Sequence, residues 1–371
     1  MPSYKTHSIH VEQSYDYLTD RISIPKESLK VFAGGPDILI GTDYSAFNRM
    51  HDSNVKEYYE ALLKYYKENN LLENGEAMAF LYGQLDHYML DVITHPLIYY
   101  LTEKMPKDYL IDYHGLVEMW LDDYFLSKYG KEGKGYYQKS KIESTELKTA
   151  INTVTKSIYG VDNASKKYDN GMRILTTFDS SIRCNKTIVP LLDKLFNIGN
   201  ISYGSDLSNV LPFLNEERRT LLNPETGEVF NDSFEDLFNK SINEYKELIH
   251  DINGYLYQDK PLKNYYLNND ISYNTGLSCS LGQTFKYCKL YSELDKLSKV
   301  ANPRLSSDIK RALIVLTPIF ISIIMMRSNN GVDIMPYLTS ISGILGVGIH
   351  DLYKSMNSIS DISNKDLTLK L

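Results

Sequence analysis

The stretch LYGQLDHYMLDVITHPLIYY, residues 81–100, decides the reading of this chain. His87, Asp91 and His95 stand at i, i+4 and i+8, positions that share one face of a helix. Around them Phe80, Leu81, Tyr82, Leu85, Met89, Leu90, Val92 and Ile93 are apolar. The spacing predicts a helix that is apolar round most of its circumference and points three hydrophilic groups one way. Burying His, Asp and His together is costly unless the groups are paired or hold a metal ion. Gly83, one turn before His87, is placed to let a neighbouring helix approach. Pro96 is expected to bend or end the helix just after His95.

A second helix follows in YHGLVEMWLDDYF, residues 113–125. His114 and Glu118 are again four apart, and Asp122 continues the face. An imidazole and a carboxylate at i, i+4 can grip one ion with little ordering cost, because the helix already sets their separation. One such pair is often a surface ion pair; two helices in succession, with His95 between them, point to a metal centre. His7, His10 and His51, and Asp37 behind the tight Gly34-Gly35-Pro36 loop, add further ligand types nearby in the chain. Six of the eight histidines fall within the first 114 residues. The competing reading is a set of satisfied core and surface histidines.

Outward from these helices the periodicity stays helical. Val55, Tyr58, Tyr59, Leu62, Leu63 and Tyr66 recur at steps of three and four. Leu147, Ile151, Val154 and Ile158 do the same and end at Gly160, a C-cap candidate. Phe234, Leu237, Phe238, Ile242, Tyr245, Leu248, Ile249 and Ile252 form a third stripe, opened by a Ser233/Asp236 capping box and closed at Gly254. Residues 223–227 (NPETG) read as a turn, and 128–135 as a surface loop. The 31 tyrosines read as amphipathic packing residues. The fold class is all-α.

Composition bounds the rest. The chain has 371 residues, of which 43% are hydrophobic, enough for one large core with an appended piece. Its net charge of −7 shows no strong nucleic-acid signal. The cysteines Cys184, Cys279 and Cys288 fit neither a zinc knuckle nor a disulfide framework, and no apolar leader precedes the first helix. A cytoplasmic location is the expectation. Residues 312–326 (ALIVLTPIFISIIMM) form an apolar run flanked by Lys310, Arg311 and Arg327, and a second apolar stretch covers 334–349. The first run is shorter than the roughly 20 residues that span a membrane, so a buried helix is favoured. A hairpin inserted into or resting on a membrane through 312–349 is the alternative.

The motifs resemble those of the zinc-dependent phospholipase C family, whose relatives include zinc single-strand nucleases. The matching pieces are PSYKTH at 2–7, GGPDIL at 34–39, His51, HYMLDVITH at 87–95 and HGLVE at 114–118. Weaker matches are NPETG at 223–227 and SYNTG at 272–276. The resemblance covers roughly 1–290 and implies a helical bundle of that type, with 291–371 as a C-terminal hydrophobic helical extension. It implies about two or three zinc ions and hydrolysis of a phospholipid or other phosphodiester by metal-activated water. Carried over, Asp37, His51, His87 and Asp91 hold one ion, and His95, His114 and Glu118 a second. His7 (or His10) and a bridging Asp91 help hold a third. Asp37 is also the candidate catalytic base. Secreted members start with a tryptophan whose amino group ligates the third ion, and here Met1 stands first, so that site is expected to be weaker, differently completed or absent. A nucleic-acid phosphodiesterase of the same fold, and a non-catalytic metal-stabilised membrane module, are the alternatives.

Overall fold

Helix α5, Gly75–Thr102, is the axis of the molecule. Asn74 starts it by accepting from the backbone N–H groups of Glu76 and Ala77. Every residue from Ala77 to His95 is buried, as the nearly unbroken apolar sequence requires. The computed structural model describes residues 4–18, 21–105, 113–130, 141–179, 183, 189, 201 and 207–289.

Among the described residues, the other helices of seven residues or more wrap this axis. They are α1 (Tyr4–Gln13), α2 (Lys26–Phe32), α3 (Tyr44–Asp52), α4 (Val55–Glu68), α6 (Tyr113–Lys128), α7 (Thr145–Tyr159), α8 (Ala164–Phe178) and α9 (Phe234–Gln258). Helices α1, α2, α6 and α9 pack on α5, and α4 packs on α7. The predicted apolar face of α4 is buried at all six positions. Gly160, at φ 68°, ends α7 in the left-handed conformation. The capping box of Ser233 and Asp236 opens α9. Gly83 lets α2 approach: a Cβ there would lie 2.6 Å from the Phe32 carbonyl carbon. The only sheet among the described residues is a short hairpin. Leu221–Leu222 pairs with Val229–Phe230 across the 223–227 turn.

Many tyrosines pack in the core, and three of them tie their hydroxyls to buried carbonyls. Tyr59 donates to Gln84 O at 2.9 Å, Tyr66 to Ala77 O at 2.7 Å and Tyr245 to Tyr82 O at 2.9 Å. Each ring thus buries its apolar body without leaving an orphaned O–H.

Three expectations need correction. Pro96 does not end α5, which continues six residues to Thr102. Proline lacks the N–H that would have bonded Val92 O. The turn at Gly276 (φ 67°) packs on that point, where a Cβ would come 2.8 Å from the Val92 oxygen. Gly254 does not end α9, which runs on to Gln258. The cost of about 1 kcal/mol for an interior glycine is offset by the tertiary packing of the helix. Its carbonyl accepts from Lys260 N at 3.1 Å beyond the helix end. The loop at Gly34-Gly35-Pro36 is a turn of 3-10 helix, Gly35–Leu39.

Among the described residues no helix is long and apolar enough to cross a membrane. The extension 291–371, with the apolar stretches at 312–349, lies outside the described residues, as do 131–135 of the surface loop and Cys184.

Candidate metal centre

Five separate segments bring their side chains to one face of α5. Helix α5 supplies His87, Asp91 and His95, all fully buried. The 3-10 turn supplies Asp37, α3 supplies His51, α1 supplies His7, and α6 supplies His114 and Glu118. Asp91 is the hub. Its carboxylate oxygens lie 3.2 Å from His7 Nε2, 3.0 Å from His87 Nε2, and 3.9 Å from both His51 Nε2 and His95 Nε2. Asp37 Oδ1 lies 3.2 Å from His51 Nε2 and 3.5 Å from His87 Nε2. His114 Nε2 meets Glu118 Oε1 at 2.7 Å.

These approaches form three groups that could hold a metal ion: His7, His87 and Asp91; Asp37, His51 and His87; and His95, His114 and Glu118. Within each group the donor atoms lie within 4.8 Å of one another. All eight sequence-derived candidates are therefore brought together, and His87 belongs to two groups.

The hydrogen bonding has a direction. The outward nitrogen Nδ1 of each of three rings faces a backbone carbonyl: His51 meets Phe47 O at 2.7 Å, His87 meets Ala33 O at 3.0 Å, and His95 meets Tyr273 O at 2.7 Å. Only an N–H can serve a carbonyl, so Nδ1 carries a proton, and in the neutral ring Nε2 keeps its lone pair. Those Nε2 atoms, together with Asp37 Oδ1, both Asp91 oxygens and His7 Nε2, are buried without a hydrogen bond. Orphaned lone pairs converging in a protein interior are costly, and a cation relieves that cost. The nitrogen and carboxylate donor set suits zinc. The residues present thus fit a metal on structural grounds.

Charge behaviour agrees. Burial, with His87 alongside, pushes His7 down to about 4. Burial also holds His95 and His114 well below the usual imidazole range. Neutral imidazole is the form that ligates metal. For His87 burial acts downward too, but the Asp91 and Asp37 carboxylates outweigh it and raise the ring. Burial opposes ionisation of Asp91, yet the surrounding His87, His95 and His7 carry it well below the usual carboxylate range.

His10, the sequence alternative to His7, has both ring nitrogens engaged elsewhere. Nδ1 lies 2.7 Å from Asp86 and Nε2 2.7 Å from Ser241 Oγ. Asp122 follows the helical face of His114 and Glu118 but is turned to another task. It accepts from Thr6 N at 2.9 Å, Thr6 Oγ1 at 3.0 Å and Arg183 at 2.9 Å, tying α1 to α6. The carbonyls of Ala33, Phe47 and Tyr273 escaped the sequence reading, because a backbone oxygen leaves no letter in a sequence.

An all-helical fold with converging histidine and carboxylate groups defines a candidate multi-metal protein. Residues 5–169, a span that includes every candidate residue, match the family described as zinc dependent phospholipase C. The family-level activity is zinc-dependent, phospholipase C-like hydrolysis. No curated protein and no solved structure matches.

Proposed function

We propose that this chain hydrolyses a phosphodiester bond in a phospholipid or related phosphoester, with zinc held by His7, Asp37, His51, His87, Asp91, His95, His114 and Glu118. The observation that carries the reading is the set of buried, unpartnered lone pairs facing one another while the opposite ring nitrogens are tied to carbonyls. Zinc bound there supplies positive charge to phosphate oxygens and makes water acidic enough to attack at neutral pH. The carbonyl-bound rings keep their Nε2 atoms aimed without further loss of ordering entropy. Asp37 sits at the edge of the cluster, 8% exposed, where one carboxylate oxygen can face the group and the other can take a proton from an incoming water.

A phospholipid is preferred over a nucleic acid because the net charge is −7 and the apolar run at 312–326 carries cationic flanks suited to a lipid surface. A reducing, cytoplasmic compartment, the expectation from three cysteines whose spacing fits no disulfide framework, belongs to the same proposal.

The test begins with metal content, by mass spectrometry on untagged protein, for wild type and His87→Ala. About two or three zinc ions per chain are expected, from the three residue groups, with fewer in the variant. A wild type that takes up no zinc overturns the reading. Turnover then follows on phosphatidylcholine micelles and on single-stranded DNA. Head-group release from lipid supports the proposal, and cleavage of DNA alone makes this a nucleic-acid phosphodiesterase. Zinc without either activity makes the metal structural.

A further inference from the structure

The loop at 272–276 lies outside the matched span, yet it touches two of the three residue groups through one residue. Tyr273 N donates to His51 O at 2.9 Å, and Tyr273 O accepts from His95 Nδ1 at 2.7 Å. His51 belongs to the group with Asp37 and His87, and His95 to the group with His114 and Glu118. The position of this single residue therefore sets the spacing between two histidines from different helices.

What holds the loop is a carboxylate next to His51. Both oxygens of Asp52 accept from Asn274 Nδ2, at 2.8 and 2.9 Å, and Asp52 Oδ1 also accepts from Ser272 Oγ at 2.9 Å. Asn274 Oδ1 in turn accepts from Tyr99 OH at 3.2 Å. The Tyr99 ring lies 4.5 Å from that of His114 and 5.5 Å from that of His95. The Tyr273 hydroxyl meets Tyr59 OH at 2.9 Å in the core.

We propose that Asp52 and Asn274 form a positioning pair for the metal centre. They clamp the loop so that Tyr273 fixes His51 relative to His95, and Asn274 carries the same constraint through Tyr99 to His114. The proposal rests on the metal-centre reading above. A ring held by one hydrogen bond can still pivot, and the acceptor's location decides where Nε2 points. Bonds to a carboxylate are charge-assisted and stronger than neutral ones, so Asp52 makes the clamp stiff. A plain structural tether between α3 and the loop would affect stability but leave metal geometry unchanged in folded protein.

The experiment uses full-length protein stripped of metal and reloaded with cobalt or zinc. Asp52→Asn sets one amide against another, and the exchange Asp52→Asn with Asn274→Asp restores a carboxylate–amide pair. The expected result for Asp52→Asn is zinc affinity about 10–100-fold weaker. Its visible cobalt bands should shift as well, and both readouts should return towards wild type in the exchange variant. If Asp52→Asn does not fold, Asn274→Ala carries the same expectation. Wild type that loads metal while the variants match its affinity and spectrum overturns this inference alone. Wild type that takes up neither metal overturns the metal-centre reading and this inference with it.

Discussion

His10 Nδ1 lies 2.7 Å from Asp86 Oδ1, with neither residue reaching solvent. Nε2 of the same ring meets Ser241 Oγ at 2.7 Å, and that hydroxyl donates to Phe238 O at 2.7 Å. The three residues join α1, α5 and α9 one turn away from His7. Removing one partner of a buried pair leaves the other charge uncompensated. His10→Ala is therefore expected to destabilise the fold by about 3–5 kcal/mol. Ser241→Ala, which removes one hydrogen bond, should cost about 1 kcal/mol. Urea unfolding followed by circular dichroism measures both, and equal costs would contradict the pairing.

Gly35 sits at φ 54°, and a Cβ on it would overlap the ring of His87. Gly160 has a similar φ of 68° but nothing within 4 Å of its would-be Cβ. Alanine at Gly160 should cost about 1–2 kcal/mol from backbone strain alone. Gly35→Ala carries that strain plus displacement of His87, so it should cost more and also lower zinc content. Thermal unfolding and metal analysis of the two variants side by side test this. A Gly35→Ala protein with full zinc content would show that His87 does not need that space.

Acid should destabilise the metal-free protein through its buried rings. The unfolded chain takes up protons on histidine near 6.5, whereas folded His7 resists until about 4, chiefly because it is buried. Burial lowers His95 and His114 in the same direction. The unfolded state then binds more protons, so stability is lost as pH falls from about 6.5 towards 4. His87, raised by Asp91 and Asp37 against its burial, acts oppositely, one ring against three. Melting temperatures of chelator-treated protein between pH 7.5 and 5 should fall; a flat profile would sink the argument.

Alkali should act through the core tyrosines. Burial raises Tyr59, Tyr66, Tyr88, Tyr168, Tyr245 and Tyr273 well above the usual value of 10.0. Burial likewise pushes the Cys279 and Cys288 thiols up to about 12. The folded state keeps protons that the unfolded chain releases, so this stability is present below about pH 9 and lost as pH rises. Absorbance at the phenolate band should rise in two phases, the second coincident with loss of helical signal. Complete ionisation while the helices persist would refute it.

Much of the site is legible in the amino-acid sequence. His87, Asp91 and His95 share a face wherever a helix forms, because the 3.6-residue repeat is a local property. The same holds for His114 and Glu118, and for the buried stripe of α4. Pro96 and Gly254 mislead for a related reason. Both weaken a helix locally, yet the packing around α5 and α9 outweighs a loss of a few kcal/mol. Asp122 has the right spacing for the metal face, but its partner Arg183 is 61 residues away and invisible to periodicity.

The sequence by itself determined the all-helical class, the faces of the individual helices and the residue types able to hold zinc, since these follow from spacing and side-chain chemistry. Only the tertiary structure decided which of His7 and His10 meets Asp91, and which carbonyl aims each ring. His95 takes its orientation from Tyr273, 178 residues further along. Such contacts depend on how separate segments pack, and no local pattern encodes the distance between them.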